Sequence, residues 1–159
     1  MKIGILSDTH SRRLPAKMMA DFKAVDCIIH TGDFCSWEVY QELAKVKEIH
    51  AVSGNMDEHK VREQLPQRRI LELEGCRIGV YHGRGAPDHL LEVVQAEFVG
   101  DNVDVVIFGH SHQPFNKKIG KVLYFNPGSP NDTVFAPYCS YGIMEIKEGH
   151  VEAKIIEVR

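Results

Sequence analysis

The sequence lacks the features that mark several classes of protein. Its net charge at pH 7 is only −3, and its basic residues occur as scattered pairs, which argues against a long nucleic-acid surface. The four cysteines form no CxxC pattern, so we expect reduced thiols rather than a disulfide framework. No apolar run has the length of a membrane span, because the opening KIGIL breaks off at SDTH. We therefore expect a cytoplasmic protein with no membrane partner.

Short apolar runs that alternate with helical patterns predict an α/β fold. The chain has 159 residues, which suggests one domain over residues 1–159. Three strand–helix repeats followed mostly by strands predict two sheets, the first partly parallel, with helices on the outer faces. The expected strands are 2–7, 26–33, 48–54, 103–109 and 121–126, with hairpins over 68–83 and 140–158; the expected helices are 14–24, 36–47, 57–65 and 87–99.

Metal-capable side chains follow five of the predicted strands, at the point where each strand ends. In open α/β sheets this C-terminal edge is where ligands bind. The last two histidines are expected to point the same way, because residues two apart on extended backbone share a face. The sequence therefore predicts one metal site with carboxylate, imidazole and amide ligands: Asp8, His10, Asp33, Asn55, His82, His110 and His112.

Each of these residues also has an ordinary structural interpretation. A single strand-end aspartate such as Asp8 is more often a turn or helix-cap residue, and the pair Gly32–Asp33 is common in turns. His82 taken alone is more often a packed histidine. These interpretations would have to coincide at five strand ends, so the metal site explains the pattern better.

The ligand types indicate which ions and which reaction the site would serve. No cysteine is among them, and a mixture of imidazole, carboxylate and amide suits borderline first-row ions. Seven ligands suit two ions that share a bridging group. Two ions about 3.5–4 Å apart suit in-line displacement at phosphorus by a hydroxide held between them. We expect two divalent ions, Mn²⁺ first, with Ni²⁺, Fe²⁺, Zn²⁺ or Mg²⁺ as alternatives.

The sequence resembles the calcineurin-like metallophosphoesterases in motifs that run from Asp8 to Gly128. The small size and the third motif, GN-x-D, are most similar to the short prokaryotic phosphodiesterase (YfcE-like) branch. The resemblance implies a four-layer α/β/β/α sandwich and a dinuclear-metal-dependent phosphodiesterase that acts on small phosphodiesters. The matching motifs are Asp8-x-His10, Gly32-Asp33, Gly54-Asn55, His82, Gly109-His110-Ser111-His112 and Asn126-Pro127-Gly128-Ser129.

The same resemblance implies how the ligands would divide between the ions. One ion would be bound by Asp8, His10, Asp33 and His112, and the other by Asp33, Asn55, His82 and His110. Asp33 would then be the bridging ligand. Asp33, Asn55 and His110 are expected to take part in catalysis as well as in metal binding.

Met56 departs from the pattern of the family. Many members have a histidine here, which helps to protonate the leaving oxygen or to bind the phosphoryl group. A thioether cannot donate a proton, so Met56 either fills a gap beside the site or has a role in selecting substrates. Either way, leaving groups that depart unaided are favoured. His59 is an alternative acid, although its helix favours the surface, and His30 either supports the site or is purely structural.

Two other classes of function stay open at this point. The retromer scaffold subunit has the same small fold and acts mainly as a binding surface, although the complete ligand set of this chain favours an enzyme. A phosphomonoesterase or a nuclease is the other alternative, but larger nuclease relatives add domains and basic surfaces that this sequence lacks. A homo-oligomer is also left open.

Overall fold

The computed structural model of the protein describes residues 1–158; Arg159, which the predicted domain range includes, lies outside the described residues. The helices are α1 Ala16–Phe22, α2 Trp37–Ala44, α3 His59–Gln64 and α4 Leu90–Glu97, the last preceded by a 3₁₀ turn at Pro87–His89. The strands are β1 Lys2–Leu6, β2 Cys27–His30, β3 Ile49–Ala51, β4 Arg68–Leu73, β5 Cys76–Tyr81, β6 Val105–Ile107, β7 Phe115–Ile119, β8 Val122–Asn126, β9 Ser140–Lys147 and β10 His150–Glu157.

The strands form two mixed five-stranded sheets. The first has the order β10-β9-β1-β2-β3, in which β1, β2 and β3 are parallel and β9 and β10 are antiparallel additions. The second has the order β4-β5-β6-β8-β7, with β5, β6 and β8 parallel and an antiparallel strand at each edge. The prediction of two sheets, the first partly parallel, is confirmed.

Three clusters of buried side chains separate four layers. The central cluster joins the facing sides of the two sheets and includes Ile5 and Ile29 of the first and Ile78 and Ile107 of the second. A second cluster packs α1, α2 and α3 on the outer face of the first sheet. The third packs α4 on the outer face of the second sheet. This order of layers is the α/β/β/α sandwich that the family resemblance implied.

Strand β7 is the element that the sequence interpretation missed. Its residues, FNKKI, alternate poorly between apolar and polar, and the strand lies at the edge of its sheet. Edge strands often carry lysine, which discourages pairing with other chains, so the apolar pattern of a buried strand is absent here. The predicted hairpin turns at Glu74–Gly75 and Glu148–Gly149 are confirmed.

Within residues 1–158, no helix combines the length and the hydropathy that crossing a membrane requires.

Candidate metal centre

All seven predicted ligands lie in loops that follow strands, where the two sheets meet at one end of the sandwich. Four of them follow β1, β2 and β3 of the first sheet, and the other three follow β5 and β6 of the second. The carboxyl ends of parallel strands lie at the same edge of a sheet, which brings side chains from distant parts of the chain together. The two sheets therefore contribute to one cluster.

A carboxylate and three imidazoles form the centre of this cluster. Asp8 is fully buried, and Nε2 of His82, which is 2% exposed, lies 3.9 Å from its Oδ1. The Nε2 atoms of His10 and His112 lie 3.9 Å and 3.4 Å from the same oxygen and 3.1 Å from each other. Asp33 is 2% exposed and places Oδ2 3.3 Å from Nε2 of His82. Two buried carboxylates this close to one another require positive charge nearby.

Hydrogen bonds of the histidines determine which ring nitrogen is free. Nδ1 of His82 donates to the carbonyl oxygen of Thr31 at 2.8 Å, because a carbonyl can only accept. Nδ1 of His112 donates to the carboxylate of Asp132. In the neutral ring, Nε2 is then left with a lone pair that points towards the buried carboxylates. Metal-binding histidines show this arrangement, with the far nitrogen held by an outer partner.

Two buried polar atoms at the centre have no hydrogen-bond partner among residues 1–158: Oδ1 of Asp8 and Nε2 of His82. Such atoms cost folding free energy unless a ligand satisfies them, and a divalent cation would satisfy both. Ligand atoms lie within 4.8 Å of one another in two groups, Asp8 with His10 and His112, and Asp8 with Asp33 and His82. Imidazole and carboxylate are ligand types of borderline divalent ions. The residues fit a divalent metal centre.

Asn55 and His110 lie beside these two groups. Nε2 of His110 donates to the carbonyl oxygen of Gly85 at 2.9 Å, which leaves its Nδ1 facing Oδ1 of Asn55 at 3.0 Å. Two lone-pair atoms that face each other are stabilised by a cation between them. Asp8, and not Asp33, is the carboxylate common to both groups. The bridging role of Asp33, and the division of seven ligands between two ions, stay predictions.

The prediction that His110 and His112 lie on extended backbone is wrong. Both have left-handed backbone, with φ of 69° and 56°, and strand β6 ends before them. Both side chains nevertheless line the same cavity. The left-handed conformation is rare for residues other than glycine, and it recurs at this site: Asp8, His10, Asp33 and Cys35 have φ of 54°, 47°, 58° and 65°.

Electrostatic interactions favour positive charge in the cluster. Burial lowers the pKa of His112, but Asp8 and Asp132 raise it to about 9. Burial also lowers the pKa of His82, yet Asp33 and Asp8 hold it above its ordinary value. Burial raises the pKa of Asp8, but its close contact with His112 and the charges of His82 and His112 bring it below the ordinary value. These directions are those expected of a cation-binding site.

Asp57 holds the loop after β2 against the loop after β3, a role that the sequence interpretation missed. Asp57 is 2% exposed. Its carboxylate accepts backbone hydrogen bonds from Asp33 at 3.2 Å, Cys35 at 2.8 Å and Gly54 at 2.7 Å. The sequence did carry a signal for this residue, because Asp57 is the aspartate at the fourth position of the GN-x-D motif.

Asp132 is a second residue that the sequence interpretation missed, because it lies outside every matched motif. It is 1% exposed and accepts the Nδ1 hydrogen of His112. Backbone amides of Val134 and Phe135 also donate to it, at 2.9 Å and 3.3 Å. Asp132 therefore fixes both the orientation and the tautomer of His112.

We expect Asp132→Asn to lower Mn²⁺ affinity about 10–100-fold, the usual cost of losing the outer partner of a metal-binding histidine. Calorimetric titration of the metal-free variant with Mn²⁺ measures the effect. Asp104→Asn is the matched control, because Asp104 also accepts a backbone hydrogen bond, from Arg77 at 2.8 Å, but contacts no histidine. Equal Mn²⁺ affinities for both variants would contradict the orienting role of Asp132.

His30 has a supporting role, while His59 lies on the surface. Nδ1 of His30 accepts the amide hydrogen of Gly32 at 3.0 Å, so its Nε2 donates to Oγ1 of Thr9 at 3.2 Å. The ring also stacks on Phe34, with centroids 3.5 Å apart. His30 thus joins the loops after β1 and β2. The expectation of a surface position for His59 is confirmed, since its side chain is 82% exposed.

Met56 lies at the mouth of the metal centre with its side chain 59% exposed. One interpretation of the sequence was that Met56 fills a gap beside the site, but this exposure shows that it does not fill a buried gap. Its backbone amide donates to Oδ1 of Asp33 at 2.7 Å, which fixes its position beside the predicted ligands. With Pro87 and Phe135 it provides the apolar part of a cavity of about 400 Å³, which we call the apolar cavity. This cavity opens over the metal centre, since five predicted ligands also line it: His10, Asp33, Asn55, His110 and His112.

Comparison with known protein sequences agrees with the motif pattern. Residues 1–149 match the calcineurin-like phosphoesterase superfamily domain. A probable metallophosphoesterase of Methanocaldococcus jannaschii is 38% identical, over 99% of this chain and 82% of its own length. A phosphodiesterase of the same organism is 30% identical, over 80% of this chain and 83% of its own length.

Solved structures share the fold. A structure described as a novel archaeal phosphodiesterase superposes with a TM-score of 0.77 at 25% identity, covering 98% of this chain and all of the other. Vps29 of Entamoeba histolytica, solved with Zn²⁺, has a TM-score of 0.78 at 23% identity, covering 99% of both chains. The second likeness, at this low identity, concerns the fold alone.

Proposed function

The chain belongs to the calcineurin-like phosphoesterase superfamily, and from this membership we propose that it hydrolyses small phosphodiesters with the help of two divalent metal ions. The observation that carries the proposal is that the Nε2 atoms of three histidines lie within 4 Å of Oδ1 of the buried Asp8: His10, His82 and His112. The phosphodiesterase names of one relative and one solved structure support a diester substrate.

Two divalent ions held by these residues would lower the pKa of a bound water and stabilise negative charge on the phosphoryl oxygens. The side chains keep the ligand atoms in place: Asp132 orients His112, and Asp57 joins the loops that carry Asp33 and Asn55. In the overall reaction the water oxygen bonds to phosphorus while the bond to the leaving oxygen breaks. Mn²⁺ is the ion we propose first, because it accepts imidazole and carboxylate ligands alike.

Two cavities at the centre also support a diester. The apolar cavity opens directly over the predicted ligands His10, Asp33 and His112. A second cavity, of about 300 Å³, contacts Asn55 and His82. A phosphodiester has two ester arms, and each cavity would receive one of them. A monoester would leave one cavity empty.

We expect Met56→His to flatten the dependence of rate on the leaving group. The wild-type side chain offers no proton to the departing oxygen, so log kcat/KM should fall steeply as the pKa of the leaving alcohol or phenol rises. A histidine fixed beside Asp33 by the same backbone hydrogen bond would supply a donor. The measurement is the slope of log kcat/KM against leaving-group pKa over a series of aryl and alkyl phosphodiesters with Mn²⁺, together with the rate on phosphomonoesters.

Met56→Leu is the matched control, since it keeps an apolar side chain without a donor and should retain the wild-type slope. Equal slopes for wild type and Met56→His would show that position 56 takes no part in leaving-group protonation. The same assay tests the function itself across Mn²⁺, Ni²⁺, Fe²⁺, Zn²⁺ and Mg²⁺. If no diester is hydrolysed in any of these metals, the proposed phosphodiesterase activity is wrong.

A further inference from the structure

The cavity that contacts Asn55 and His82 has a chemical character unlike that of the apolar cavity. Arg62, at the end of α3, and Arg84, in the loop after β5, both line it. Tyr81 lines it as well and adds a phenolic hydroxyl. No carboxylate is among the described residues that line this cavity, which we call the cationic cavity. Its volume of about 300 Å³ lies at the small end of ligand pockets.

The two arginines of the cationic cavity are free to bind a ligand. Both are exposed. Three other arginines form ion pairs, Arg12 with Asp132, Arg68 with Glu97 and Asp101, and Arg77 with Glu72. Arg13 and Arg69 have no ion pair among the described residues, so what distinguishes Arg62 and Arg84 is their shared position in one cavity. Within residues 1–158, neither Arg62 nor Arg84 has a carboxylate within 4.0 Å or a hydrogen bond from its guanidinium group. Two unpaired guanidinium groups in a cavity that also contacts predicted metal ligands favour an anionic ligand next to the metal centre.

We propose that the cationic cavity binds a second phosphate group of the substrate, on the ester arm that does not leave. This inference rests on the proposed phosphodiesterase function. A terminal phosphate has nearly two negative charges and three acceptor oxygens, which match two guanidinium groups better than a single carboxylate does. The substrates are therefore phosphodiesters that carry an additional phosphomonoester.

The two cavities assign the two arms of such a substrate. The anionic arm enters the cationic cavity beside His82, and the leaving arm enters the apolar cavity beside Met56 and Phe135. Phe135 is 75% exposed and offers an aromatic face to the leaving group. An aromatic leaving group also departs without a proton donor, as the absence of an acid at Met56 requires. The scissile phosphorus lies at the metal centre, whose predicted ligands line the apolar cavity and adjoin the cationic cavity through Asn55 and His82.

Ligand binding tests the cationic cavity without relying on turnover. The probes are thymidine 3′,5′-bisphosphate and thymidine 5′-phosphate, titrated calorimetrically into the Mn²⁺-loaded protein. We expect the bisphosphate to bind at least about 10-fold more tightly, because its second phosphate accepts hydrogen bonds from charged guanidinium groups. The double variant Arg62→Gln/Arg84→Gln should lose this difference. Arg13→Gln is the control, because Arg13 is an exposed arginine that lines neither cavity.

Hydrolysis provides the second measurement. The p-nitrophenyl ester of thymidine 5′-phosphate is compared with the same ester bearing a 3′-phosphate. We expect the added phosphate to lower KM about 10-fold in the wild type and in Arg13→Gln, and to have no effect in the double variant. For the ester without the added phosphate, kcat of Arg13→Gln should equal that of the wild type.

The outcomes separate the two proposals. If both esters are hydrolysed but the added phosphate changes neither KM nor binding, or the double variant retains the preference, the cationic cavity does not bind phosphate and the inference is overturned. If neither ester is hydrolysed but the bisphosphate binds more tightly in an arginine-dependent way, the phosphodiesterase function fails and the phosphate site stands.

Discussion

Asp33→Asn is expected to abolish turnover, with a loss well beyond the roughly 100-fold that an outer partner of a metal ligand contributes. Asp33 is 2% exposed, and its two oxygens divide their contacts: Oδ1 accepts the amide hydrogen of Met56 at 2.7 Å, and Oδ2 faces Nε2 of His82 at 3.3 Å. An amide of the same shape keeps the packing but removes the charge that a shared ligand must supply. The measurements are kcat/KM at saturating Mn²⁺ and the metal content of the purified variant.

The controls test three separate causes of a loss of activity: removal of any carboxylate charge, a change at any residue near the predicted ligands, and loss of the carboxylate that bridges the two ions. Glu152→Gln removes one exposed carboxylate from β10, and Ser111→Ala alters the residue between two predicted ligands; both should retain nearly full activity. Asp8→Asn is the informative comparison, because Asp8 belongs to both groups of clustered ligands. Loss of both ions in Asp8→Asn but of only one in Asp33→Asn would assign the bridge to Asp8. Substantial activity of Asp33→Asn would contradict the two-metal assignment.

Gly54→Ala is expected to lower kcat/KM about 100-fold, the cost of displacing a catalytic group by roughly 1 Å. A Cβ atom at this position would lie 2.1 Å from Oδ1 and 2.5 Å from the backbone nitrogen of Asp33. Neither atom of Asp33 can move easily. Its backbone amide donates a hydrogen bond to the buried carboxylate of Asp57, and its Oδ1 accepts one from the backbone amide of Met56. The substitution therefore moves Asp33 away from His82. Assays of kcat/KM and Mn²⁺ affinity, with thermal unfolding alongside, measure the effect.

Gly149→Ala distinguishes this local effect from a general loss of stability. Gly149 has φ of 76° and no atom within 4 Å of the added Cβ, so the variant pays only the cost of left-handed backbone, about 1–2 kcal/mol. It should unfold at a lower temperature yet bind Mn²⁺ and turn over normally. If kcat/KM fell in both variants in proportion to stability, the displacement of Asp33 would not be the cause of the loss in Gly54→Ala.

The layers of the fold were predictable from the sequence because their signals are local. Buried parallel strands such as β1 and β2 are continuous apolar runs, and the glycine turns of both hairpins are short-range patterns. Strand β7 was not predictable in this way, since its stability comes from pairing with β8 at an edge. Its own residues carry little apolar pattern.

In the candidate site, too, the features with a local sequence signal were predictable and the features that depend on distant contacts were not. The predicted ligands could be named because each follows a strand, whereas the conformations of His110 and His112 depend on loops that strand periodicity does not describe. Asp132 contacts His112 across 20 residues of chain, and no spacing rule indicates such a pair. Asp57 could be identified from the GN-x-D motif. Its role could not, because its three backbone partners come from two separate loops.

The left-handed backbone at the candidate ligands bears on the stability of the fold. Asp8, His10, Asp33, His110 and His112 all adopt a conformation that glycine reaches without steric cost and that other residues reach at about 1–2 kcal/mol. Replacing any of them by glycine would relieve that cost while removing the side chain. The five side chains are therefore held in place at a conformational cost in the folded backbone that glycine would not incur.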